Sequence, residues 1–165
     1  MLPGNGGQTM KILVDADGCP VVDETIRTAG KHGVPVTLLC DTAHEMHRDG
    51  AETVIVSKGA DAVDFLLVNR VSPGDIVVTQ DYGLAAMVLA KGGRPIDQNG
   101  RLYTEDNIDG LLMSRYVSKK VREAGGRMKG PKKRRPEADL RFEKNLDALL
   151  SGISGKAALE ERNDE

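Results

Sequence analysis

The sequence predicts a single three-layer α/β domain, a mostly parallel central sheet with helices on both faces. Three observations carry that expectation. Short, unbroken apolar runs at residues 12–14 (Ile-Leu-Val) and 76–78 (Ile-Val-Val) read as strands buried on both faces, because a half-exposed strand would alternate. Segments of helical spacing lie between such runs, entered at Pro20 in one case and closed by Gly33 or by Gly92-Gly93 in others. The connections are short, so strand–helix alternation lays successive strands side by side in parallel. A chain of 165 residues is long enough to bury one core without disulfides or structural metals.

Taken in order, residues 11–15 form the first strand and Pro20 opens a helix that reaches about His32. Residues 35–40 form the second strand, a short helical or irregular piece covers 44–49, and 53–57 form a third strand. Residues 59–71 read as a helix with Ala62, Phe65, Leu66, Val68 and Asn69 facing inward, closed by the turn Ser72-Pro73-Gly74-Asp75. A strand at 76–79, a helix at 82–90 and a short strand at 94–96 follow. From Glu105 an amphipathic helix runs to about Ala124 with Ile108, Leu111, Leu112, Tyr116 and Val117 inside, and Gly125-Gly126 stops it. A last helix at 138–150 docks Leu140, Phe142, Leu146 and Leu149. Residues 1–9 are read as a disordered leader, 10–151 as the folded domain with a basic arm at 127–136, and 152–165 as a disordered tail.

Composition excludes several classes of function. The chain has no Trp, two Phe and three Tyr, so it offers no aromatic platform for stacking bases. No apolar run approaches the roughly 18 residues of a membrane span, and the first residues lack the basic and apolar regions of a signal peptide. Cys19 and Cys40 have no metal-type spacing and read as reduced thiols, which points to the cytoplasm. The net charge of −2 hides a split: residues 115–135 carry ten Lys or Arg against Glu123 alone, a net +9, while the remainder is −11. Such asymmetry suggests an anionic partner for one part and cations for the other.

The acidic part is concentrated where an open α/β sheet binds ligands. Asp15 and Asp17 emerge at the carboxyl end of the first strand, and Asp81 emerges just past the strand at 76–79. If those strands are central in one sheet, the three carboxylates converge. Like charges held together expect a cation, and an all-oxygen set suits Mg²⁺ or Mn²⁺. Asp61 and Asp64 lie three apart, on one face of a helix.

The blocks DADGCPV, KGADAVDFLL, PGDIVVTQDYGLAAMVLAKGG and GGRMKGPKKRRPEADLRFEKNL resemble the uncharacterised bacterial YaiI/YqxD family, whose fold is similar to PIN-domain nucleases. The resemblance spans about residues 10–150. It implies a metal-dependent nuclease in which Asp15, Asp61, Asp64 and Asp81 take the positions of the PIN-like acids, with Asp17 as an extra carboxylate. Asp15 and Asp81 would be central to the chemistry, with Mg²⁺ or Mn²⁺ activating water against a phosphodiester and no side-chain nucleophile. RNA is implied over DNA by the same analogy.

The basic segment supplies a partner for that chemistry. Arg115, Lys119 and Arg122 recur at helical spacing, and Arg127, Lys129, Lys132, Lys133, Arg134 and Arg135 continue the charge into the arm. Contacts of this kind read phosphates, so binding is expected to tolerate sequence and depend steeply on salt. Other roles compete for the acids: Asp17, Asp61 and Asp81 could each cap a helix, and Asp75, at the wrong end of its strand, is structural. His44 and His47 read as a solvated loop, and Cys19 as packing, since carboxylates nearby disfavour its thiolate. Two other classes remain open. Asp15-x-Asp17 after an apolar strand also resembles a haloacid-dehalogenase-type phosphatase, with Thr79 or Ser57 and Lys58 binding phosphate, and a non-catalytic RNA-binding module would use the basic segment alone.

Overall fold

The computed structural model describes residues 10–57, 60–125 and 133–152, without the side chains of residues 60 and 61. The leader, the tail beyond Gly152, Arg127, Lys129, Lys132 and the side chain of Asp61 therefore lie outside the described residues. Among the described residues five strands and five α-helices run in the order β1 (Ile12–Asp15), α1 (Val22–Lys31), β2 (Val36–Asp41), β3 (Glu52–Val56), α2 (Ala60–Arg70), β4 (Ile76–Val78), α3 (Tyr82–Ala90), β5 (Arg94–Ile96), α4 (Glu105–Glu123) and α5 (Pro136–Leu150). One turn of 3-10 helix, Thr42–His44, follows β2.

All five strands are parallel, in the order β3-β2-β1-β4-β5. β1 and β4 are direct neighbours, with Ile12 opposite Ile76 and Val14 opposite Val78. Being central, both must bury side chains on two faces, which is why neither alternates. Ile12, Val14, Leu38 and Ile76 point into a core closed by α1 and by Phe142, Leu146 and Leu149 of α5. Leu13, Leu39 and Val77 point the other way, against Val63 and Leu67 of α2 and Leu84 and Val88 of α3. α4 packs on α3 through Ile108, Ala85 and Tyr103. Pro95 is tolerated because β5 is an edge strand.

Three helix faces differ from expectation. In α2 the inward stripe is Val63, Leu67 and then Val71, and Phe65 is 74% exposed. Residues 63, 67 and 71 are four apart and meet the sheet together, which turns Phe65 outward. In α4, Ile108 is buried, but Tyr116 and Val117 are 56% and 50% exposed. α4 has 19 residues and α3 only nine, so at about 1.5 Å per residue α4 overshoots its support by roughly 15 Å. In α5, Leu140 is 65% exposed, and the buried polar Asn145 takes a place on the inner face between Phe142, Leu146 and Leu149. Asp75 is structural, as expected: it is buried and accepts from Ser72 N, Lys11 N and Lys11 Nζ at the amino end of the sheet.

Candidate active site

Strand order reverses between β1 and β4, since the chain winds to β2 and β3 on one side and to β5 on the other. The crevice outside the carboxyl ends at such a reversal is where open α/β sheets bind ligands. Asp15 is the last residue of β1, Thr79 follows β4, and Asp81 is the cap of α3. A single hydroxyl joins them. Thr79 Oγ1 donates to Asp15 Oδ2 at 2.9 Å and accepts from the Asp81 backbone N–H at 3.0 Å. Thr79 is itself fixed, because it is buried and its carbonyl accepts from the Tyr103 hydroxyl at 3.1 Å.

Asp81 does cap its helix, accepting at Oδ1 from Gly83 N (2.9 Å) and Leu84 N (3.1 Å). Arg115 Nη1 reaches the same oxygen at 3.4 Å from α4. A Cβ at position 83 would lie 3.3 Å from Asp81 Oδ1 and 3.5 Å from Arg115 Nη1, so glycine there leaves room for the approach. A cavity of about 550 Å³ opens between these groups, lined by Asp15, Asp17, Asp81, Tyr82 and Arg115. Tyr82 is an aromatic ring on the cavity wall that composition alone did not place.

The electrostatics are those of crowded carboxylates. Burial pushes the Asp15 carboxyl up to about 6, and the charges of Asp64, Asp81 and Asp17 add to it, while the Thr79 hydrogen bond opposes them. Asp64, half-buried on α2, is thus near enough to Asp15 to be felt. Asp17 is also raised, by burial and then by Asp41. It does not cap α1, whose cap residue Val21 makes no side-chain bond. Instead Asp17 Oδ1 is buried with no hydrogen-bond partner among the described residues. An orphaned buried carboxylate oxygen is costly unless a donor or cation satisfies it; the cavity's carboxylates offer the oxygen ligands that Mg²⁺ or Mn²⁺ takes, while the ligand atoms that lie within 4.8 Å of one another among the described residues are those of Asp17, Asp41 and His44.

Beside this cavity is a contact that sequence reasoning missed. Asp41, at the end of β2, accepts at Oδ1 from Ala43 N, His44 N and His44 Nδ1, each at 2.9 Å. His44 Nδ1 also lies 3.6 Å from Asp17 Oδ2. The hydrogen bond to Asp41 raises the His44 pKa, and Asp17 raises it further. His44 is exposed, as expected of a loop, yet it is paired, whereas the His47 ring meets Glu45 at the surface. The signal for Asp41 was the one that exposed Asp15: an apolar strand ending in an acid. Burial pushes the Cys19 thiol up to about 11, so it is a protonated packing group.

The basic residues divide. Arg115 reaches the cavity, while Lys119 and Arg122 are exposed further along α4. Lys133 and Arg135 are exposed before α5. Arg134 is committed: its guanidinium donates to Asp139 Oδ1 (2.8 Å), Asn99 Oδ1 (3.0 Å) and the Gln98 carbonyl (2.6 Å). No helix among the described residues is long and apolar enough to cross a membrane.

Residues 13–152 match the family described as "Uncharacterized BCR, YaiI/YqxD family". The chain is 58% identical over 142 residues to a UPF0178 protein of Exiguobacterium sibiricum, which covers 86% of this chain and 97% of that relative. It is 54% identical over 143 residues to a UPF0178 protein of Clostridium acetobutylicum, again 86% of this chain and 97% of the relative. A third, from Ruminiclostridium cellulolyticum, is 53% identical over 138 residues, 83% of this chain and 90% of the relative. No solved structure matches the chain. With the matched region running from β1 through α5, the chain belongs to the YaiI/YqxD family.

Proposed function

We propose that the cavity is a metal-dependent phosphodiesterase site and that the protein is a PIN-like nuclease acting on nucleic acid, RNA in preference to DNA, in the cytoplasm. The observation that carries this reading is the convergence of Asp15, Asp17 and Asp81 on one cavity with Arg115 at its rim. Asp15 and Asp81 would hold Mg²⁺ or Mn²⁺, with Asp17 and Asp64 beside them and Asp61 assigned by resemblance. When bound, such an ion polarises a water and neutralises charge on the phosphate. Thr79 holds Asp15 and the Asp81 backbone in register, and Arg115 can exchange its pairing with Asp81 for a phosphate oxygen. The water would give up a proton to solvent as its oxygen bonds to phosphorus and the bond to the leaving sugar oxygen breaks, and that sugar oxygen would take a proton from solvent in turn.

The phosphatase reading is weaker. Thr79, its candidate phosphate-binding hydroxyl, is buried and already bonded to Asp15 and Asp81. Ser57 follows β3, two strands from β1 and so roughly 10 Å away. The binding-module reading keeps one point in its favour, since Arg115 pairs with Asp81 Oδ1, an oxygen a metal would otherwise take. Incubation with labelled RNA and with a generic phosphomonoester, each in Mn²⁺, separates the three. Cleavage of RNA alone supports the nuclease; release from the monoester alone establishes the phosphatase; RNA binding without turnover of either leaves the binding module.

A further inference from the structure

A second concave surface adjoins the acidic cavity. It is a groove of about 910 Å³ between residues 98–99 and the start of α5, and Lys133, Arg135 and Arg141 line it. Glu137 is the one acid among its described lining residues. The groove and the acidic cavity share two lining residues, Gly18 and Gln80, whose side chain donates to the Gly18 carbonyl at 2.9 Å. A chain leaving the carboxylates in this direction therefore passes over Gln80 and Gly18 directly onto cationic ground.

The groove is rigidly built. Arg134 ties the segment before α5 to Gln98, Asn99 and Asp139. Arg135 is extended (φ −107°, ψ 150°), and in extended chain the neighbours of an inward residue face the other way. Arg134 is half-buried, while Lys133 and Arg135 on either side of it are exposed. The opposite wall is pinned by Asn145, which donates to the Gly100 carbonyl from within α5. Gly100 (φ +89°) sits so close that a Cβ there would fall 2.8 Å from Asn145 Nδ2 and 2.9 Å from the Arg141 carbonyl. Cations on a preformed track next to an acidic centre are suited to a polyanion whose backbone must be held while one linkage is presented.

We propose that this groove binds the phosphodiester backbone flanking the scissile phosphate, so that the substrate is a polynucleotide several residues long and not a mononucleotide or dinucleotide. This rests on reading the carboxylate cavity as a phosphodiester site. Lys133, Arg135 and Arg141 make the phosphate contacts, and Arg134 is a positioning residue that shapes the groove.

The test is fluorescence anisotropy with a fluorescein-labelled 12-nucleotide oligouridylate and, in parallel, an oligodeoxythymidylate of equal length. EDTA is present throughout, so turnover plays no part. The Lys133→Ala/Arg135→Ala/Arg141→Ala variant should flatten the dependence of log affinity on log salt by about 2, three contacts at roughly 0.7 each. A Lys31→Ala/Lys91→Ala control, with changes at the carboxyl ends of α1 and α3, should match the parent. Unlabelled diuridylate should compete far more weakly than unlabelled 12-mer. Thermal melts confirm that the triple variant is folded, and a Lys133→Ala/Arg135→Ala pair, outside the helix, repeats the measurement with about two-thirds of the effect. Parental affinity and slope in these variants, or no binding by the parent, would overturn the proposal. A parent that binds through the groove yet cleaves nothing in Mn²⁺ would leave the groove standing and refute the nuclease reading instead.

Discussion

Replacing Asp15 with asparagine should stabilise the metal-free protein at neutral pH, although it removes a central residue of the proposed site. The Asp15 carboxyl, raised to about 6 by burial and by Asp64, Asp81 and Asp17, has an ordinary value of 3.8 when the chain unfolds. A group that holds its proton more tightly folded than unfolded destabilises the fold once it ionises. Below about pH 3.8 both states are protonated and nothing is lost; the penalty grows between 3.8 and 6 and is constant above. Its full size is about 3 kcal/mol, or roughly 6–12 °C in Tm for a chain of this length. Asparagine keeps an acceptor for the Thr79 hydroxyl and carries no charge. Urea unfolding in EDTA at pH 4.5, 6.0 and 7.5 should therefore show an advantage for Asp15→Asn that is largest at pH 7.5 and shrinks towards pH 4.5. In saturating Mn²⁺ the order should reverse, because only the parent gains by mass action. An Asn variant less stable than the parent at pH 7.5 in EDTA, or an advantage independent of pH, would mean that Asp15 carries no such penalty.

Asp81 has two duties that two substitutions separate: Asp81→Asn keeps a good helix cap and should melt like the parent in EDTA, Asp81→Ala should lose about 1 kcal/mol with the cap, and both should lose the Mn²⁺-dependent rise in Tm. Gly100→Ala places a methyl against Asn145 and the Arg141 carbonyl at a positive φ, and should cost at least about 2 kcal/mol by urea denaturation. Arg115→Ala should weaken RNA binding and flatten the salt slope by about 0.7, seen in the same anisotropy assay. Cys19 should resist iodoacetamide at pH 8 in the folded protein, because its thiol is pushed up to about 11, and should react on unfolding, as followed by mass spectrometry.

The sheet and the principal acids were legible because one physical signal reports both. A strand buried on two faces cannot alternate, so Ile12–Asp15 and Ile76–Val78 stand out, and whatever follows such a strand stands at the ligand edge. α2 was opaque for the converse reason: Val63, Phe65, Leu66, Leu67 and Val68 are apolar on every side, so composition did not select the face that meets Leu13 and Val77. For α4 the stripe ending at Tyr116 and Val117 was real, but its burial depended on the length of α3, a tertiary fact. The charge run at 133–135 likewise does not distinguish Arg134, which is bonded on three sides, from the exposed Lys133 and Arg135. Asp41 ends an apolar strand as Asp15 does, and its pairing with His44 follows from the turn of 3-10 helix that brings the ring back over it.

Anomalous diffraction from crystals soaked in Mn²⁺ would show whether the cavity beneath Asp15 and Asp81 holds a metal ion. A manganese peak is expected in contact with carboxylate oxygens of both Asp15 and Asp81, at roughly 2.0–2.3 Å as befits a hard cation on oxygen ligands, with no such peak in Asp15→Asn crystals treated alike. No peak in that cavity at saturating Mn²⁺, or a peak confined to Asp17, Asp41 and His44, would contradict a metal centre there.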